Sequence, residues 1–135
     1  MTWLIAYTVS GNPAPQGSKR HVGNGRMIEA SKRLKPWRDA VIAATQEMAS
    51  TVEQLEGPLT VKLEFRVPRP KTVTRSHPIT RSSGDLDKLI RAVLDGITIG
   101  ELIQDDSQVV NIRASKRYSV DPGVTIYIER VETDE

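Results

Sequence analysis

The 135-residue sequence predicts a single-domain α/β protein: a mixed sheet of about four or five strands packed by two main helices. Three observations predict it. The length suits one compact core and leaves little for a second. Several short stretches, clearest at Leu59–Val67, carry apolar residues at every second position. Two others, after Pro36 and after Asp85, carry them at helical spacing.

Trp3 to Val9 alternates loosely and holds Trp, Ile, Tyr, Thr and Val, which predicts a first strand. Gly11 to Gly17, with Pro13 and Pro15, is a loop. Lys19–Val22 and Arg26–Ala30 flank Gly23-Asn24-Gly25, a pattern that predicts a short hairpin. Ser31 is placed to cap a helix that Pro36 enters near its first turn. Trp37, Val41, Ala44 and Met48 then continue it to about Val52. Gly57-Pro58 breaks the chain before the strand Leu59–Val67.

Residues 68–84 form a long basic loop with few apolar side chains, expected to be mobile without a partner. Leu86, Leu89, Ile90, Val93, Leu94 and Ile97 then describe one face of a helix over residues 85–97. Ser82 stands three residues before Asp85, a capping-box-like spacing. Strands follow at Val109–Tyr118 and Val124–Val131, joined at Asp121-Pro122-Gly123 and expected to pair as an antiparallel hairpin. Trp3 and Trp37 are expected in the core.

Composition excludes several classes of function. There is no cysteine, so disulfides, thiol catalysis and cysteine-ligated zinc are absent. No apolar run is long enough to span a membrane, and the start lacks the features of a signal peptide. These features fit a cytoplasmic protein. There is no Gly-x-Ser-x-Gly elbow and no glycine-rich nucleotide loop. His21 and His77 are the only histidines, too few for a histidine-rich metal site; His77, in the basic loop near the acids, could assist a water but reads as a solvated loop residue.

Net charge is only +2, but it is unevenly distributed. Residues 1–39 and 58–84 each carry a net +5, whereas residues 85–106 carry −4. Basic regions attract a phosphate backbone; a concentrated acidic patch repels one unless a cation lies between. Asp85 and Asp87 lie close together at the helix start, and Asp105-Asp106 add carboxylate in a loop that can fold back toward it. Mg²⁺ prefers such oxygen ligands and keeps several waters. The chemistry that suits the pattern is phosphodiester hydrolysis. Ordinary structural uses compete: Asp85 and Asp87 suit a helix N-terminus, and Asp105 and Asp106 suit a turn. An EF-hand does not fit, since Ile90 stands where its loop requires glycine.

The run Gly84-Asp85-Leu86-Asp87-Lys88-Leu89-Ile90-Arg91-Ala92-Val93-Leu94-Asp95-Gly96-Ile97, followed by Ile103-Gln104-Asp105-Asp106-Ser107-Gln108-Val109, resembles the signature of the RusA-type Holliday junction resolvases. The likeness is strongest over residues 84–110 and extends loosely over most of the chain. It implies a homodimer of small α/β subunits. It also implies Mg²⁺-dependent nicking of two symmetrically placed strands in a four-way DNA junction, with Mn²⁺ as an alternative ion, in recombination and repair. By motif position the three metal-binding aspartates fall on Asp85, Asp87 and Asp106. The family usually has Asn after the second aspartate and Lys four residues after it; here Lys88 and Arg91 stand there. Arg91 can clamp a phosphate but does not readily release a proton, so both are assigned to phosphate support. Asp95 is expected to form a salt bridge with Arg91.

Arg69, Lys71, Arg75 and Arg81 in the loop, and Lys19 and Arg20 nearer the amino terminus, are the expected contacts to the DNA backbone. Two other readings remain open. One is an architectural protein that binds junctions without cutting them. The other is a structural domain whose acids only cap helices.

Overall fold

The computed structural model describes residues 4–17 and 24–132. Its main elements are β1 (Ile5–Ser10), α1 (Asn24–Ala49), β2 (Leu59–Val67), α2 (Leu86–Ile99), β3 (Val109–Tyr118) and β4 (Gly123–Arg130). Short 3₁₀ turns at Arg81–Ser83 and Asp106–Gln108 precede α2 and β3. The four strands form one mixed sheet in the order β1-β4-β2-β3, so the fold is the expected α/β single layer of sheet with two helices.

β2 occupies the centre because its alternation is the strongest in the chain. Leu59, Val61, Leu63, Phe65 and Val67 are all buried, and the residues between them are partly exposed. Each fully buried apolar side chain of this size contributes roughly 1.5–3 kcal/mol. On the same face Val9, Val124, Ile126 and Ile128 join Trp37 and Val41 of α1 and Leu89, Val93 and Ile97 of α2 in one core. The opposite face carries Thr8, Lys62, Glu64, Arg66, Thr125 and Tyr127, whose hydroxyl donates to Glu64.

Two expectations are corrected. β3 and β4 do not pair as a hairpin: β2 lies between them, parallel to β3 and antiparallel to β4. Most of β3 is exposed, with polar residues such as Asn111, Arg113 and Arg117, which suits an edge better than a place beside two neighbours. The connection therefore spans two strand spacings, about 10 Å, over the end of β2. Ser119 N–H anchors it to the Val67 carbonyl at 2.9 Å.

The amino-terminal hairpin is corrected where it is described. Arg26–Ala30 is helical, because α1 begins at Asn24 and runs through Pro36. Glu29, Ala30, Lys32, Arg33 and Leu34 are good helix formers. Pro36 removes the hydrogen bond to the carbonyl four residues earlier and its ring crowds that carbonyl, a cost that the helix carries. Lys19–Val22, His21 among them, lie outside the described residues, as does Trp3. Trp37 is buried as expected. Among the described residues no helix is long and apolar enough to cross a membrane.

Candidate active site at the start of the second helix

β2, α2 and β3 form a crossover unit with two parallel strands, so α2 must run back along the sheet in the opposite sense. Its amino terminus consequently sits at the carboxyl ends of β2 and β3, where open α/β sheets usually build their sites. Lys116 fixes this end. Its Nζ donates to the Gly84 carbonyl at 2.7 Å and to Ser83 Oγ at 3.0 Å. Ser83 Oγ in turn donates to the Thr80 carbonyl at 2.7 Å. Gly84 turns the chain at φ +89, where an added Cβ would also stand 3.2 Å from Leu89 Cδ2.

Asp85 occupies the N-cap position, but its side chain makes no capping hydrogen bond. The expected contribution of Ser82 is also absent: its hydroxyl shares a 2.9 Å hydrogen bond with Thr80 Oγ1 instead. Asp85 and Asp87 are both exposed at the helix start. Asp85 Oδ2 lies 3.4 Å from Lys88 Nζ. Arg91 is exposed, one turn after Asp87, on the outer surface of the helix. This end of α2 thus gathers Asp85, Asp87, Lys88 and Arg91.

Asp106 is not brought to them within the chain. It starts the turn before β3, whereas Lys116, which reaches Gly84, lies near the other end of that strand. From Val109 to Lys116 the strand rises roughly 23 Å at about 3.3 Å per residue. The loop expected to fold back to the helix start is instead held at the far end of the crossover. Among the described residues no three carboxylate or imidazole side chains gather closely enough to hold a metal ion.

The two adjacent acids of that turn have different fates. Asp105 forms a full capping box: its carboxylate accepts from Ser107 N–H at 2.9 Å, and Gln108 Oε1 accepts from Asp105 N–H at 3.1 Å. Side-chain and backbone hydrogen bonds from Ser107 hold the Asp105 carboxyl below its ordinary pKa. Asp106 is exposed and carries no such bond. The structural role falls to Asp105, and Asp106 has no part in the capping box.

Asp95 does not pair with Arg91. It faces α1, where Arg38 lies at 3.8 Å and Gln16 Nε2 donates to it at 2.6 Å. Gln16 also accepts from Arg38 and donates its backbone N–H to the Lys88 carbonyl at 3.0 Å. The Gly11–Gly17 loop is thereby tied alongside the start of α2. Helix–helix packing overrides the i, i+4 pairing that the sequence offers.

Of the expected DNA contacts, Arg69 lies with its guanidinium 5.0 Å from the Tyr118 ring centre. Lys71 and Arg75 are exposed on the loop, and Arg81 opens the turn before α2. His77 is exposed on the same loop. Lys19 and Arg20 lie outside the described residues.

Sequence reasoning missed Lys116, Gln16 and Arg38. Lys116 had a signal: it falls on the inward-facing phase of β3, shared with Ile112 and Ala114, where a lysine is out of place. Gln16 and Arg38 had none, because their partner Asp95 is distant in sequence.

The family model for endodeoxyribonuclease RusA matches residues 10–129. Among curated proteins, an uncharacterized protein YqaN of Bacillus subtilis (strain 168) is 30% identical over 142 residues, covering 94% of this chain and 96% of that protein.

Proposed function

Because the chain belongs to the RusA endodeoxyribonuclease family, which acts on branched DNA, we propose that it is a Mg²⁺-dependent resolvase that cuts four-way junctions by paired nicks. Its role would be in recombination and repair, in the cytoplasm. The observation that carries the reading is the state of Asp85 and Asp87. Both are exposed at the start of α2, and the N-cap carboxylate is not used for capping. In the rival view Asp85 caps the helix and Asp87 favours its positive end; Asp85 makes no capping bond.

Mg²⁺ suits this donor set, because it is a hard ion that takes carboxylate oxygens and retains waters. Asp85, Asp87 and Asp106 would hold it, and when bound it supplies positive charge to the phosphate and an activated water. Lys88 and Arg91 would neutralise the phosphate flanking the cut. Arg69, Lys71, Arg75 and Arg81, with Lys19 and Arg20, would bind the backbone on either side without reading sequence.

The distance of Asp106 from Asp85 and Asp87 in one chain supports a homodimer with shared sites. In it, Asp85 and Asp87 of one copy meet the partner's Asp106. Twofold symmetry gives two such sites, matching two equivalent strands of a junction. This arrangement has a specific test. Asp87→Asn and Asp106→Asn proteins, each inactive alone, are mixed and allowed to exchange subunits. A mixed dimer then contains one intact site and one doubly altered site, and single nicks reappear. No recovery despite demonstrated exchange refutes the sharing.

Cleavage of a synthetic four-way junction in Mg²⁺ by wild type, but not by Asp87→Asn, tests the activity itself. One observation favours the non-cutting architectural reading: the Lys88 ammonium stands 3.4 Å from Asp85, where it competes with a metal ion. That reading predicts junction binding with no nicks in Mg²⁺ or Mn²⁺ until Lys88 is replaced.

A further inference from the structure

A cleft opens beside the start of α2, between the loop after β1 and one stripe of α1. Its narrow part is walled by Pro68 and Tyr118, at the ends of β2 and β3, and by Ser82 and Ser83, which lead into Asp85. Its wide part, of about 450 Å³, lies between residues 10–12 and Lys32, Arg33, Pro36 and Trp37. Asn12 and Arg33 line both parts, so the two adjoin. The wide part alone is within the roughly 300–1,000 Å³ of small-ligand sites.

The polar groups of this cleft have bonding capacity to spare. Trp37 is only 2% exposed, yet its Nε1–H has no acceptor among the described residues. The Tyr118 hydroxyl is buried and has no partner there either. Pro36 has no N–H, so the Lys32 carbonyl lacks its helical donor. Buried polar groups are normally paired, so these atoms favour an incoming group that can bond them. The charges point the same way. On the same helix Lys35 pairs with Asp39 at 2.8 Å, and Arg38 lies 3.8 Å from Asp95. Lys32 and Arg33 are exposed and have no ion pair among the described residues.

The geometry points to a nucleotide subsite: the cleft holds one unstacked nucleotide of the DNA strand, beside the phosphate at Asp85 and Asp87. The proposal rests on the nuclease reading and adds a site to it. A base has flat apolar faces, which suit the wall formed by Pro36 and Trp37. Its edge carries donors and acceptors, and the Asn12 amide offers both. The nucleotide's phosphate is an anion, which suits Lys32 and Arg33. The paired bases of an intact duplex cannot enter. Extruding a base costs least where pairing or stacking is already broken, as at a branch point. The loop cations bind backbone without reading sequence, so the cleft is where the flanking base is read.

The test is an abasic scan of a four-way junction. It uses full-length Asp87→Asn, so that no cutting intervenes, and removes one base at a time around the branch point. Loss of the base that enters the cleft is expected to weaken binding at least ~5-fold through lost stacking, and loss at other positions to change it less than ~2-fold. Asn12→Ala, or Ala40→Phe in the wall of the wide part, is expected to erase the dependence at that position, with an unchanged circular dichroism spectrum. With Asp87 intact, Asn12→Ala is expected to flatten the preference of cutting among the four bases there by ~10-fold.

A bound junction with no sensitive position overturns the proposal. So does a sensitive position that both variants leave unchanged. A protein that binds no junction removes the nuclease reading and this subsite together. A sensitive position that responds to Asn12→Ala, in a protein whose wild type makes no nicks in Mg²⁺, keeps the subsite and removes the cutting.

Discussion

Gly96→Ala tests the close approach of the two helices. A Cβ added at Gly96 would stand 2.5 Å from Val41 Cγ1 and 2.9 Å from Val41 Cβ, and one added at Gly100 would stand 2.6 Å from Thr45 Cγ2. Carbon atoms prefer about 3.5–4.0 Å, so α1 and α2 must separate by on the order of 1 Å. Val41 cannot yield alone: it is fully buried and, being β-branched on a helix, has essentially one rotamer. Forcing a methyl group into such a contact costs about 1–3 kcal/mol. Replacing glycine by alanine inside a helix gains about 1 kcal/mol. Because the overlap is severe and involves a Cβ, the net is expected to be a loss of roughly 1–2 kcal/mol. In urea, with a slope of about 1.5–2 kcal/mol per molar, the midpoint falls by ~0.5–1 M. A Val41→Ala background removes the 2.5 Å contact with Cγ1 and keeps the 2.9 Å contact with Cβ. There the loss from Gly96→Ala shrinks without vanishing, a coupling of at least about 1 kcal/mol. A Gly96→Ala protein stabilised by the full propensity gain, with no coupling to Val41, would refute the packing described.

Asp85→Asn and Asp105→Ala should separate function from structure. The first leaves stability within ~0.5 kcal/mol and abolishes junction cleavage. The second lowers the urea midpoint by removing the capping box and leaves metal-dependent cleavage in place. Tyr7 hydrogen-bonds Thr45 at 2.8 Å, and burial pushes its phenol up to about 12. A raised folded-state pKa means that its contribution is intact below the unfolded value near 10 and is lost as pH rises toward 12. Stability should therefore fall over that window, by roughly 2–3 kcal/mol in all at 1.36 kcal/mol per pKa unit. Tyr7→Phe should flatten the decline in urea titrations at successive pH. Glu101 ends α2 in the left-handed region at φ 66. Glu101→Gly should stabilise the protein by about 0.5–1 kcal/mol, read as a raised thermal midpoint.

The elements with a clean period were legible in the sequence. β2 was bounded at Leu59 and Val67 because its alternation leaves no second phase that buries as much. α2 was found from its apolar face, and Asp85, Asp87, Lys88 and Arg91 were placed together because one helical turn is a local geometry. The segment at Arg26–Ala30 was read as strand because glycines beside it imitate a turn, and the helix-forming residues after it decided otherwise. Asp95 was assigned to Arg91 because they are neighbours on one helix. Packing against α1 gave it Arg38, and the Gly11–Gly17 loop gave it Gln16.

The sequence by itself determined the layer composition, the family and the acids at the start of α2, because these follow from short-range periodicity and a contiguous motif. Only the tertiary structure decided the strand order. Neighbours in a sheet are chosen by burial across the whole core, and β2 took the centre that a local hairpin would have closed. The fate of the third carboxylate followed from that choice. A parallel crossover fixes the start of α2 and the turn before β3 at opposite ends of a strand, so the motif that unites Asp85, Asp87 and Asp106 in sequence divides them in one folded chain.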